Sequence, residues 1–430
     1  MNANLERRIG FHSATAVVVG EVIAVGIFLT PAGMARSLAS PLWIGLVWVA
    51  MGGMAICGAL CYGALTARFP QAGGGYVYLR EAWGPRVAFL YGWKCFLVMD
   101  PGLTAALAVG MAGYVGYLLP LPSWGVPVVA IAAILLLAGV NVVGVRFGAA
   151  VTRTLAIAKV GLLAAIAIWG FGRGGGSWSH FVPFAERAAG SEPLIGALAG
   201  GLVGAFFSFG GWWDLTKLAG EVRDPERTVP RAVIAGVATV TGVYLLTTAV
   251  FIYLVPIASV TSGETFAAQA GEALFGAAGG RIFAGIVIVS VLGSLAALLM
   301  VAPRVYFAMA RDGLFPHAVA ELHPRFDTPA RAIGLQALLA SLFAATGSFD
   351  EIVVFFIFVT IFFIGLTVLG GFRVARRDGG KWPRAAAIAF LGMTLVLLVL
   401  IAVGSPGRAA LGTVVVLAGI PVYQVLLRRR

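Results

Sequence analysis

A chain of 430 residues that is 60% hydrophobic and only 11% charged lacks the charge a soluble fold of that size needs to cover its surface. A formal net charge of +12 would suggest a nucleic-acid partner in a soluble protein, but here the basic residues concentrate in short segments between apolar runs. The distribution excludes nucleic acid as a partner and makes the lipid bilayer the main solvent.

A membrane span needs roughly 20 apolar residues. Hydropathy predicts about twelve, near 14–35, 42–67, 86–119, 126–144, 148–171, 195–219, 232–257, 281–310, 331–347, 351–374, 385–404 and 408–427, with no soluble domain between them. The first resembles a secretory signal because Arg7 and Arg8 precede an apolar run. That run exceeds a signal core in length and contains Glu21, so it is read as a retained span. With the N-terminus placed inside, 23 of the 30 basic residues fall on inner segments, five on outer ones, and Lys94 and Lys159 within spans. Both termini are therefore expected on the cytoplasmic side of a cell (inner) membrane.

Glycine contributes 58 residues, and two clusters read as helix breaks. In span one, Gly20 to Phe28 is followed by Thr30-Pro31; in span six, Phe207-Ser208-Phe209-Gly210-Gly211-Trp212-Trp213-Asp214 interrupts the apolar run. The competing reading is that each cluster is only a close-packing face. The two breaks occupy matching positions of two five-span halves, 14–171 and 195–374, followed by spans at 385–427. Five being odd, the second half enters with inverted topology, and paired broken helices in inverted repeats point to a midplane solute site. The expected fold is an all-α membrane protein, one transporter domain over residues 1–430.

The residues at these breaks resemble the amino acid/polyamine/organocation transporter superfamily, in particular bacterial permeases of its L-type amino acid transporter-like branch. The motifs that carry the resemblance are Ile23 to Phe28 with Thr30-Pro31, Phe69 to Gly84, Phe207 to Trp212, Glu221 to Ala232, and Pro303 to Gly313. The resemblance implies a five-plus-five inverted-repeat core (leucine-transporter type) with two further helices, working by alternating access as an exchanger or proton symporter. It places the substrate carboxylate on N–H groups of Ile23-Ala24-Val25-Gly26-Ile27, the substrate ammonium on carbonyls around Ile23, Phe207 and Gly210, and an aromatic lid at Phe207. Ser208 and Trp212 belong to the same implied site. Here Ala24 and Val25 replace a glycine and a serine of the family motif, which removes a hydroxyl and stiffens the break. Independently of family, Phe207, Phe209, Trp212 and Trp213 form an aromatic set able to wall a pocket and attract a cation.

Ionisable residues within spans mark function by default. Lys159 is the sharpest: the resemblance implies that it stands in place of a coupling sodium ion and bridges spans one and eight, and it is read as the proton-responsive group, against a static ion pair. Glu21 is its expected partner, so that proton exchange would loosen span one from span five. The alternative is that Glu21 faces the pocket and selects cations such as basic amino acids or polyamines. Lys94 and Asp100 are expected to pair through a neighbouring helix, and Asp214, Lys217 and Glu221 to form a solvated inner mouth.

The four histidines fall at or outside span edges without metal-ligand spacing, so neither an enzyme nor a metal site is expected, and no cofactor. Cys57 and Cys61 lie one helical turn apart and are read as packing residues. Filter motifs of a channel are absent. The reading is a sodium-independent secondary transporter of amino acids, a small-molecule substrate, with a homo-oligomer left open. A polyamine or organic-cation carrier, or a substrate sensor on the same fold, is the alternative.

Overall fold

A computed structural model describes residues 5–24, 26–122, 124–187, 191–260, 265–346, 349–404 and 406–428, and these are helical almost throughout. Nine helices among the described residues are long and apolar enough to cross a membrane, and a tenth span forms if the bent pair α1 (Phe11–Val22) and α2 (Gly26–Leu38) is counted as one. Shorter apolar helices occupy two further expected positions, at Ala330–Ala345 and Ala409–Val425. Ten of the twelve expected positions thus carry helices of spanning length among the described residues, and the other two carry the shorter apolar helices.

After α2 come α3 (Pro41–Arg68), the short α4 (Gly75–Trp83), and a third span built from α5 (Pro85–Lys94), a π-helical segment Cys95–Met99, and α6 (Asp100–Leu118). Next are α7 (Gly125–Val143), α8 (Val145–Gly172) and α9 (Leu194–Phe209), which runs through a glycine turn into a 3₁₀ helix, Asp214–Glu221. Then follow α10 (Pro225–Leu254), α11 (Thr265–Phe275), α12 (Gly279–Val301), α13 (Pro303–Arg311), α14 (Ala330–Thr346), α15 (Phe349–Asp378), α16 (Arg384–Gly404), α17 (Pro406–Leu417) and α18 (Gly419–Arg428).

The core surrounds α1. It packs against α8, α10 and α12, while α2 packs along α9 and α9 leans on α3. Without a hydrophobic force between helices in lipid, close approach rests on small residues, and Gly20 shows it: a Cβ there would meet Thr152, Ala156 and Ala297 at 3.3–3.8 Å. Outward faces stay apolar, with Leu136, Ile157, Ile168, Ile195 and Val403 among the exposed side chains, as lipid contact requires.

At one end of the bundle the chain before α1 is tied to the end of the 3₁₀ helix. Arg8 and Ile9 N–H groups both donate to Glu221 O at 2.9 Å, and Arg223 N–H returns to Ile9 O at 2.8 Å. Beneath this tie the Glu221 carboxylate receives a two-pronged contact from Arg304 of α13, Nε at 2.7 Å and Nη2 at 3.1 Å, with both side chains buried. Gly73 N–H donates to Lys217 O at 3.0 Å, fixing the loop before α4 against the same 3₁₀ helix.

Candidate solute-binding site

The two breaks meet. α1 and α2 are bent by 49° at Ile23–Val25, of which Val25 lies outside the described residues. α9 ends at Phe209, and its continuation passes through Gly211 at φ +103°. Gly211 needs to be glycine twice over, since its backbone is left-handed and a Cβ would stand 2.8 Å from Glu21 Cγ. Gly26, opening α2, lies against Ser208: a Cβ there would sit 2.6 Å from Ser208 Oγ and 2.8 Å from its Cα. Ser208 Oγ in turn bonds Thr30 Oγ1 at 2.7 Å. Ser208, on the other broken helix, thus brings a hydroxyl to the first turns of α2.

Tyr244 of α10 staples the pair, its buried hydroxyl donating to Val22 O at 2.9 Å and Ser208 O at 2.7 Å. Nothing in the sequence singled it out. Its single O–H is shared between a carbonyl on each broken helix, Val22 O also accepting from Ala24 N–H at 2.9 Å; a carbonyl left bare in lipid costs several kcal/mol.

Lys159 occupies the expected place between spans one, five and eight, but its partners are not carboxylates. Its ammonium donates to Gly20 O at 2.8 Å, Ile23 O at 2.5 Å and Ser294 Oγ at 3.0 Å, using all three of its N–H groups. Ser294 Oγ also lies within 3.0 Å of both carbonyls, and Ser290 Oγ within 3.5 Å of Ile23 O. The lysine head is held here by the carbonyl, electronegative end of α1, where the helix dipole favours positive charge. The expected Glu21–Lys159 ion pair is therefore corrected: no contact within 4 Å joins them, because the lysine reaches past the carboxylate to the break itself. Ile23 O, expected to face a substrate ammonium, is already surrounded by three donors from the chain.

Glu21 points the other way. It lines an internal cavity of about 60 Å³ together with Ala24, Gly26, Phe206, Phe207, Ser208, Gly210, Gly211, Trp213, Asp214 and residues of α6, α12 and α15. Such a volume holds a few waters. Among the residues expected at the site, Ala24, Gly26, Phe207, Ser208 and Gly210 line it, whereas Ile23 and Ile27 are buried behind the wall. Trp212 is a correction: it turns away to pack edge-on against Tyr62 and Phe390, over Gly58, and Trp213 faces the cavity in its place.

The remaining buried charges also differ from expectation. Asp214 and Lys217 are 1% exposed rather than solvated, and Lys217 Nζ lies 2.9 Å from Asp214 Oδ1 and 3.5 Å from Asp100 Oδ1. The Asp214 contact is close but out of line for a hydrogen bond, leaving Oδ1 without one. Asp100 is further held by Tyr306 OH at 3.0 Å. Lys94 does not pair with Asp100. The π-helical segment between them shifts their register, and Lys94 bonds Met99 Sδ at 2.8 Å and Thr360 Oγ1 at 3.3 Å beneath the rings of Tyr91 and Phe363. Among the described residues no cluster could hold a metal ion, and Cys57 and Cys61 are free.

Two interrupted helices facing each other across a small cavity, inside a bundle of lipid-length helices, define a solute transporter and not an enzyme. Comparison with known proteins places it further: residues 9–425 match the amino acid permease family, and the chain belongs to that family. It is 28% identical to the serine/threonine exchanger SteT of Bacillus subtilis (strain 168), over 99% of this chain and 98% of that protein. It is 30% identical to the large neutral amino acids transporter small subunit 2 of Oryctolagus cuniculus, over 97% of this chain and 80% of the relative. The b(0,+)-type amino acid transporter 1 of the same animal is 29% identical over 85% and 76%. These matches agree with the family resemblance carried by the motifs.

Proposed function

We propose that this amino acid permease is a sodium-independent secondary transporter that exchanges amino acids across the cytoplasmic membrane by alternating access, with both termini inside and with helices one to five and six to ten as inverted repeats. The observation that carries the reading is the anchorage of the first break by Lys159. Its amino group fills the space between α1, α8 and α12 and bonds to Gly20 O and Ile23 O, where a coupling cation would otherwise be needed to hold those carbonyls. The first turn of α2, at Gly26 and Ile27, carries N–H groups without intrahelical partners and suits a substrate carboxylate. The relatives' names, an exchanger and several amino acid transporters, support exchange as the mode.

The test is counterflow in proteoliposomes loaded with unlabelled amino acids, with sodium present or replaced by choline. Uptake of labelled substrate that depends on internal amino acid and ignores sodium is expected. Uptake that requires sodium, or that proceeds at full rate into empty vesicles without any gradient-driven exchange, overturns the proposal. Repeating the assay with an imposed pH gradient, in wild type and Lys159→Ala, separates exchange from proton symport, since only a symporter accumulates substrate on the gradient.

A further inference from the structure

The cavity between the breaks carries a charge imbalance that a zwitterion does not remove. Glu21 is 7% exposed, and neither of its carboxylate oxygens has a hydrogen-bond donor among the described residues. Across the glycine turn at Gly211 it faces Asp214, near enough for the two carboxyl groups to share a proton, and both side chains line the cavity. Behind Asp214 stands Lys217, shared with Asp100. Three carboxylates against one ammonium give this flank a formal charge of −2 when all are ionised.

The other buried lysines are committed elsewhere. Lys159 is attracted electrostatically by Glu21 but spends its hydrogen bonds on Gly20 O, Ile23 O and Ser294 Oγ, and Lys94 is held by Met99 and Thr360. The rest of the lining near the acids is apolar, chiefly Met99, Leu103, Leu107, Trp213 and Ile357. A negatively charged pair at the end of an apolar passage, next to an aromatic ring, matches a side chain built as a methylene stem with a cationic head.

We propose that Glu21 and Asp214 form the cation subsite of the pocket, so that the substrates are amino acids whose side chain ends in an ammonium or guanidinium group. This rests on the amino-acid reading above, because the α-carboxylate still has to meet the N-terminus of α2. Once seated, the cationic head donates charge-assisted hydrogen bonds to the Glu21 carboxylate, whose two oxygens have no donor in the empty protein, and the flank loses one unit of its excess charge. A neutral amino acid brings no such donor and leaves Glu21 unpaired.

The test uses the full chain in proteoliposomes, with labelled arginine and leucine competed by lysine, ornithine, serine, alanine and 1,4-diaminobutane. Arginine and lysine are expected to exchange in preference to leucine and serine. In Glu21→Gln the ratio of arginine to leucine apparent affinities should fall about 30-fold, the size of one lost charge-assisted bond pair. Should Glu21→Gln fail to purify as a monodisperse protein, Glu21→Asp keeps the charge on a shorter stem and should retain the preference for arginine at reduced affinity, and stabilisation of detergent-solubilised wild type by arginine over leucine gives a second readout. Exchange confined to neutral amino acids overturns the inference alone. So does a Glu21→Gln variant in which arginine and leucine weaken equally, or in which only proton-driven accumulation is lost. Exchange of the diamine with no amino acid transported overturns the reading on which the inference rests.

Discussion

Replacing Lys159 with methionine keeps the length and apolar stem of the side chain while deleting its ammonium, and so isolates the anchorage of the first break. Three hydrogen bonds vanish, to Gly20 O, Ile23 O and Ser294 Oγ. Bonds to a charged donor contribute about 1.5–3 kcal/mol each, but removal of the ammonium also removes its burial penalty of several kcal/mol. Neither carbonyl is stripped bare, since Ser294 Oγ lies 2.9 Å from one and 3.0 Å from the other. The net loss of attachment between α1 and the α8/α12 pair is therefore about 2 kcal/mol, which corresponds to roughly a 30-fold shift toward a released break. The apparent affinity for labelled amino acid in counterflow should weaken by about that factor, with the purified variant still monodisperse in detergent. Lys159→Arg should not restore it, because the larger head has to fit where Gly20 and Gly293 already touch their neighbours. Affinity within threefold of wild type for Lys159→Met would refute the anchorage argument.

The same joint can be loosened without touching the charge: in Gly293→Ala the added Cβ would lie 2.8 Å from Lys159 Cε, so transport should drop at least fivefold, whereas unchanged kinetics would mean that the lysine has room to spare. Tyr244→Phe leaves the Val22 and Ser208 carbonyls without their shared donor, and a loss of about 1–3 kcal/mol should lower both thermal stability and substrate affinity, read by melting in detergent and by counterflow. Arg304→Met strands Glu221 as a buried, unpaired carboxylate at a cost of about 3–5 kcal/mol, and the double variant with Glu221→Gln should recover most of the lost stability. A double variant no more stable than Arg304→Met would argue against a direct pair.

The sequence made the transporter class legible because lipid is a strict solvent. Long apolar runs, basic connectors and two glycine-marked interruptions have few alternative explanations, and the structure places both interruptions face to face. Lys159 was also readable, since a lone ammonium in an apolar run demands partners. What those partners are was not readable, because pairing charges by type overlooks the carbonyls that a broken helix sets free, and it is these that Lys159 takes. The same oversight assigned Asp214 and Lys217 to a solvated mouth, although the 3₁₀ helix Asp214–Glu221 folds back into the core. Trp212 and Trp213 could not be told apart, since which of two adjacent rings faces the cavity depends on the turn at Gly211. Tyr244 left no sequence signal: one tyrosine in an apolar helix looks like any other until the two carbonyls it bonds come from different halves of the chain.

The tie between Ile9 and Val222 bears on how the protein is made. Synthesis delivers Glu21 to the membrane nearly two hundred residues before Asp214 and Lys217, and Lys159 before Ser294. The first helix thus enters the bilayer with its carboxylate unaccompanied, and it acquires its lasting neighbours only when the sixth and eighth spans emerge. Closing the strap from Arg8 and Ile9 onto Glu221 is consequently a late assembly step. A nascent chain halted before residue 221 would present its amino-terminal segment to proteases, whereas one released beyond Arg304 would shield it.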